Sequence, residues 1–493
     1  MNRQLRRLAV GLIGLFVILF IQLNVLQAVQ ATSLKKRPDN TREVIRDFTR
    51  SRGTIWSADN KVLAESVPIN DRYELQRRYP FGELFSHPVG YFSLKYGTSE
   101  VESVYNDVLT GRTPQQELRG LGNLFSARVK TGDVYLTLRT DLQQVAMDAL
   151  GDKEGSVVLL DPKTGAIFAM WSNPSYDPNL LASHDLKGAD DARASYLANK
   201  EQQPLLSRVY QERYMPGSTF KVLTTAAALD AGVLTLDSTF PAERSWVPPL
   251  TKTPIQNYGG NACGGVLKQV FTVSCNIPFA QTGVNMGAAR MVEGIDRFGF
   301  QEPAPIDLPG AVKSFFGTNE TFIQDDPRLA QSSFGQNAVQ GTPLHMALVA
   351  AAVANGGRIM TPHVLEETRD AGGSVLTEYQ PKVWKTAMSP QTAATLKDFM
   401  ISVVQNGTAK CCMQLANGVQ AAAKTGTAQL RGPGEPGGPS SHAWIIGFAP
   451  AENPSVAFAV FVKATPEVTT GVGGTVAGPV AKQLVDAALA IGK

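Results

Sequence analysis

Hydrophobic and polar positions divide this chain into a long uncharged opening and a mixed remainder. Residues 8–34 contain no charged side chain, and residues 8–26 are strongly apolar. A run of about 20 apolar residues is what a helix needs to cross a bilayer. Arg3, Arg6 and Arg7 precede it, so the positive-inside rule predicts a cytoplasmic tail at 1–7, a signal anchor at 8–29 and everything later outside. A cleaved signal peptide is the rival, because Val29-Gln30-Ala31 would serve as a cleavage site. The apolar run is longer than a usual signal core, which favours the anchor. Further on, residues 220–229 suit a buried helix ending at Gly232. Residues 344–354 and 480–491 suit two more helices, the second opened by Pro479. Residues 52–64 read as a hairpin around a polar turn, and a second hairpin starts at Ser156 and closes on residues 161–165. Residues 431–441, rich in Gly and Pro, predict a mobile loop.

Composition narrows the class. The 493 residues carry a net charge of +3 with 18% charged side chains, enough chain for two to four domains and a large core. No basic cluster lies beyond the N-terminal flank, so nucleic-acid binding has no support. No CxxC or HExxH pattern is present, and the glycines at 471, 473, 474 and 478 fit neither phosphate-binding fingerprint. The reading therefore includes no metal and no cofactor. The five histidines mark no Ser-His-Asp triad, and His442, near Trp444, reads as structural.

Three short motifs carry the candidate chemistry. In Met215-Pro216-Gly217-Ser218-Thr219-Phe220-Lys221, a serine and a lysine stand three apart. On a helix these share a face, so Lys221 is expected to reach the Ser218 hydroxyl. Serine is a poor nucleophile until a base takes its proton. Lysine serves only when neutral, and its unperturbed pKa is about 10.4. Burial, a helix N-terminus and a second cation would all lower it, and Lys424 is the natural second cation. Ser274-Cys275-Asn276 supplies a hydroxyl and a carboxamide from a tight turn, suited to relaying a proton and holding a substrate amide. Lys424-Thr425-Gly426-Thr427 reads as the start of a strand, with Lys424 and Gly426 on one face. The missing side chain at Gly426 lets a peptide backbone approach and pair with the edge. The Thr427 and Ser218 N–H groups would form a donor pair for an oxyanion, and Lys424, Thr425 and Thr427 suit a terminal carboxylate. Singly, each motif has a bland reading: a serine near a surface lysine, an ordinary turn, an exposed edge strand. Their order and spacing together do not.

That trio resembles the active site of penicillin-binding proteins and serine β-lactamases. The resemblance extends over nearly the whole chain, through Gly155-Ser156-Val157-Val158-Leu159-Leu160-Asp161-Pro162, Asn173-Pro174-Ser175-Tyr176-Asp177-Pro178 and His442-Ala443-Trp444-Ile445-Ile446-Gly447. It is that of a class B penicillin-binding protein, most like the A type of actinobacteria. It implies an α+β transpeptidase fold, an antiparallel sheet flanked by helices with the serine on a central helix. It also implies a non-catalytic pedestal or dimerisation domain at 30–150 and the transpeptidase domain at 151–493. By resemblance Ser218 is acylated by a stem peptide ending in D-Ala-D-Ala, D-Ala leaves, and a neighbouring stem's amine takes the acyl group. β-Lactams would trap Ser218, and the implied partner is a membrane glycosyltransferase that polymerises lipid II.

Rival functions remain open at this point. A serine β-lactamase shares the motifs, but between Ser274 and Lys424 no Glu has an Asn four residues later. A D,D-carboxypeptidase would use water where a transpeptidase uses an amine, and the motifs do not separate them. A non-enzymatic scaffold or β-lactam sensor is the third class. A disulfide is permitted outside the membrane. Cys263–Cys275 is the favoured bridge, bracing the Ser274–Asn276 turn, while Cys411 and Cys412 are left unassigned.

Overall fold

The computed structural model describes residues 2–26, 48, 51–116, 131–431, 439–465 and 472–492. The first helix, α1 (Asn2–Asn24), stands apart from the rest with its apolar side chains exposed. It is long and apolar enough to cross a membrane. The expected cleavage site at 29–31 and most of the Gly/Pro-rich loop, 432–438, lie outside the described residues.

A five-stranded antiparallel sheet forms the larger half. Its strands are β1 (Gly155–Leu160), β2 (Ile167–Asn173), β3 (Ala422–Arg431), β4 (Ser440–Ala449) and β5 (Val456–Val462), in the order β3-β4-β5-β1-β2. Both β1 and β5 are buried along their whole length. This explains why they read as continuous apolar runs and not as alternating ones. Helices α2 (Thr140–Leu150), α6 (Pro343–Ala354) and α8 (Gly478–Ala490) cover them, and α7 (Pro390–Asn406) packs on β3. Helices α3 (Lys221–Asp230), α4 (Leu267–Thr272) and α5 (Ile277–Met286) add a helical layer in which α3 and α4 pack on α7 and α5 packs on α3. Helix α6 crosses β4, β5 and β1, while α2 and α8 pack together and against β2 and β5 respectively. Starts are written locally. Thr342 and Ser389 cap α6 and α7 through their hydroxyls, each followed by proline, and α8 also carries proline in its first turn.

The smaller half is a six-stranded sheet ordered Val375–Glu378, Leu365–Asp370, Gly132–Leu136, Ile55–Trp56, Val62–Pro68, Leu75–Arg78. The predicted hairpin is present as the Ile55–Trp56 and Val62–Pro68 pair. Two of the six strands come from beyond residue 360, so this sheet is not built from residues 30–150 alone. The Asp307 carboxylate stitches the junction. It accepts from the N–H groups of Val364 and Leu365 at 2.7 and 2.9 Å and from the Tyr105 hydroxyl at 2.9 Å. Beneath the N-terminal sheet, Glu102 is fully buried between Arg52 and Arg77, with Nε–O distances of 2.5 and 2.6 Å. A buried carboxylate is tolerable only with such partners.

Candidate active site

The three motifs meet at the free edge of the central sheet. Ser218 lies on a single 3₁₀ turn, Gly217–Phe220, that runs straight into α3. Gly217 takes φ +54°, and a Cβ there would stand 2.7 Å from the Thr427 carbonyl oxygen. Only glycine lets the serine turn sit so close to β3. The segment before it is held by Trp444, whose indole N–H donates to the Met215 carbonyl at 2.9 Å. Ser218 itself is half-buried.

Lys221 opens α3 and is fully buried. Its Nζ donates to the Ser274 carbonyl at 2.8 Å, the Ser274 hydroxyl at 3.2 Å and the Asn276 Oδ1 at 2.9 Å. The sequence led us to expect Lys221 at the Ser218 hydroxyl. The amine is instead turned toward the Ser274–Asn276 turn, which offers it three oxygens. That turn joins α4 to α5, with Ser274 at φ +63°. This left-handed backbone is costly for a residue with a side chain. Asn257 holds it in place: its Oδ1 accepts from the N–H groups of Asn276 and Ile277 at 2.8 and 3.1 Å. Asn276 in turn donates through Nδ2 to the Gln256 carbonyl at 3.1 Å. Cys275 is bonded to Cys263, as expected, and Cys411 is bonded to Cys412.

Lys424 enters from β3, also fully buried. Its Nζ donates to the Ser274 hydroxyl at 2.8 Å and to the Thr425 carbonyl at 3.0 Å. One hydroxyl is therefore shared by two lysines. Burial pulls the Lys424 amine down to about 7. Burial and then the positive charge of Lys424 pull Lys221 well below the ordinary lysine range. Low dielectric and a like charge both disfavour a second cation here. The pair is built to hold fewer protons than two free lysines at neutral pH.

Gly426 faces the serine turn: a Cβ there would meet the Pro216 carbonyl oxygen at 2.7 Å and the Thr219 methyl at 2.9 Å. Thr425 is buried, and its hydroxyl shares a hydrogen bond with Thr408, so one of its bonding positions is already taken. Thr427 is half-buried, with its hydroxyl 3.4 Å from the Gly473 N–H. Sequence reasoning missed Asn257 and Thr408. Each acts on a motif far from it in the chain, and neither has a local signature. His442 is buried, its Nδ1 accepts from the Ala464 N–H at 2.9 Å, and burial lowers it to about 4. Among the described residues no cluster of His, Cys, Asp and Glu could hold a metal ion.

Comparison with known proteins identifies the family. Residues 155–486 match the penicillin binding protein transpeptidase domain, and residues 52–134 match the penicillin binding protein A dimerisation domain. The peptidoglycan D,D-transpeptidase PbpA of Mycolicibacterium smegmatis is 38% identical over 499 residues, covering 99% of both chains. The protein of the same name from Mycobacterium tuberculosis is 36% identical over 502 residues, again covering 99% of each. The ceftriaxone acyl-enzyme complex of penicillin-binding protein A from M. tuberculosis superposes with a TM-score of 0.82 at 35% identity, covering 90% of this chain and 100% of that one. With the motif geometry and full-length likeness in agreement, the chain belongs to the penicillin-binding protein transpeptidases.

Proposed function

We propose that this protein is a peptidoglycan D,D-transpeptidase in which Ser218 carries the acyl group. The observation that carries this reading is the Ser274 hydroxyl bridging Lys221 and Lys424, the lysines that the motifs bring together with the half-buried Ser218. Neutral Lys221 keeps two N–H bonds, for which the Ser274 carbonyl and Asn276 Oδ1 are pure acceptors. Its lone pair is then free to take the Ser218 proton. The Ser218 oxygen attacks the carbonyl of the penultimate D-Ala, and the Ser218 and Thr427 N–H groups receive the oxyanion. The proton returns through Ser274 to the departing amine as the C–N bond breaks, and terminal D-Ala leaves. The amine of a second stem attacks the ester by the reverse path, restoring Ser218 and forming the cross-link.

Lys424, Thr427 and, behind them, Thr425 hold the terminal carboxylate, and Gly426, expected from sequence to make room for the peptide, instead lets the Ser218 turn lie against β3. β-Lactams enter the same cycle and stop at the ester. Helix α1 anchors the chain with residues 1–7 in the cytoplasm, which puts Ser218 outside, where peptidoglycan is. The region from residue 30 to about 150, apart from α2 on the central sheet and with the two strands beyond 360 added, serves as the pedestal, and the rest of 151–493 as the transpeptidase. Polymerisation falls to a membrane glycosyltransferase acting on lipid II, since the pedestal is too short to do it.

The test is transfer itself. Full-length protein in detergent, given a pentapeptide ending in D-Ala-D-Ala and an amine acceptor, releases D-Ala and forms the mixed product. Release without product, at every acceptor concentration, makes the protein a carboxypeptidase. Rapid turnover of penicillin makes it a β-lactamase.

A further inference from the structure

Part of the β3 edge, where an extended donor would pair, already has an occupant. Strand β3 ends the central sheet, and no described strand pairs with its outer side. The Thr427 carbonyl points outward there, since it is the atom a Gly217 Cβ would strike. Carbonyl and N–H groups two residues apart face the same way along a strand, so the backbone of Gln429 also faces out. An open edge of this kind is a template for another backbone.

Gln336 sits on that edge. It follows Gly335, whose carbonyl accepts the Gly217 N–H at 2.9 Å, so its backbone is fixed beside the Ser218 turn. In the orientation that satisfies both of its amide atoms, its carboxamide accepts from the Gln429 N–H at 3.2 Å and donates to the Gln429 carbonyl at 3.3 Å. A primary carboxamide offers the donor and acceptor of a peptide group. A side chain thus fills the ladder position one step beyond Thr427.

We propose that Gln336 is a placeholder for the donor backbone. Its carboxamide satisfies the outer edge of β3 while the site is empty. It swings away when the stem residue two positions before the penultimate D-Ala pairs with Gln429, as the penultimate D-Ala pairs with Thr427. The proposal rests on the transpeptidase reading above. Gln336 touches no reacting atom; it selects donors by length. A donor that ends at the terminal dipeptide stops short of Gln429 and leaves the carboxamide where it is, whereas a longer one has to displace it.

The experiment is D-Ala release by the full-length protein from two donors, N-acetyl-D-Ala-D-Ala and a stem pentapeptide, with KM and kcat resolved. For Gln336→Ala the pentapeptide KM is expected to fall about fivefold, the equivalent of one neutral hydrogen bond of about 1 kcal/mol no longer displaced, while the dipeptide KM stays in place. Gln336→Asn, one methylene shorter, is expected to shift the same way and decides the matter if the alanine variant does not fold. Stoichiometric penicillin labelling of each variant reports an intact site. A pentapeptide KM that rises, or KM values that move together for both donors, overturns the proposal. So does a wild type that releases D-Ala from both donors with variants that match it. Wild type that takes penicillin yet releases D-Ala from neither donor removes the transpeptidase reading, and the placeholder with it.

Discussion

Lys221 and Lys424 converge on a single oxygen, the Ser274 hydroxyl, at 3.2 and 2.8 Å. Two buried amines on one hydroxyl make the protonation of either depend on the other, and that dependence is measurable.

Acylation needs Lys221 neutral, so its rate rises with pH through the Lys221 pKa, which lies well below the ordinary lysine value. Lys424→Met removes the nearby positive charge and lifts that pKa. The acid limb of the penicillin acylation rate is therefore expected to move to higher pH in the variant, whatever happens to its height. An acid limb that stays where it was would separate the two lysines. Stability follows the same logic. A native lysine at about 7 has released a proton that the unfolded chain still holds, so wild type gains stability as pH rises from about 7. Thermal melts of wild type are expected to climb more steeply with pH than those of Lys424→Met.

Asn276→Ala takes away one of the two acceptors that orient neutral Lys221 and cuts the tie to Gln256. Loss of a hydrogen bond to a charged or charge-forming group is worth about 1.5–3 kcal/mol, so acylation is expected to slow by about 10- to 100-fold. Stopped-flow acylation checks this.

Much of this site was legible because its motifs are local. A serine and lysine three apart, a turn with two polar side chains and a strand opening with lysine each announce themselves within four residues. The direction of Lys221 was not legible. It depends on the left-handed backbone of Ser274 and on Asn257, and no local pattern marks either. The same holds for the fold. Proline-led helices such as α6 and hairpins such as β1–β2 were readable from sequence. The strand Leu365–Asp370 pairs with Gly132–Leu136, more than 200 positions away, and Val375–Glu378 joins the N-terminal sheet only through it. Only the assembled chain reveals such a partnership.

Cys263–Cys275 closes a loop across a sequence separation of 12 and fixes the residue between Ser274 and Asn276. A bridge over so short a loop is worth about 3 kcal/mol in the chain-entropy account. Cys263→Ser is expected to lower the melting temperature and slow acylation together, since the turn that orients Lys221 loses its brace. Full acylation at a lowered melting temperature would confine the bridge to stability.

Gly426→Ala places a methyl 2.7 Å from the Pro216 carbonyl oxygen and 2.9 Å from the Thr219 methyl. Overpacking of this kind costs about 1–3 kcal/mol. Because the pressure falls on the turn carrying Ser218, acylation is expected to drop further than melting temperature does. Circular-dichroism melts alongside labelling rates make the comparison.

The central claim is that Ser218 forms the acyl-enzyme, and mass spectrometry of the penicillin adduct tests it most directly. Full-length wild type and Ser218→Ala are incubated with penicillin, digested, and the adduct mapped over time. The account predicts one adduct per chain, on the peptide containing Ser218, lasting many minutes and absent from a folded Ser218→Ala. An adduct on another residue, or labelling that survives the substitution, would contradict it.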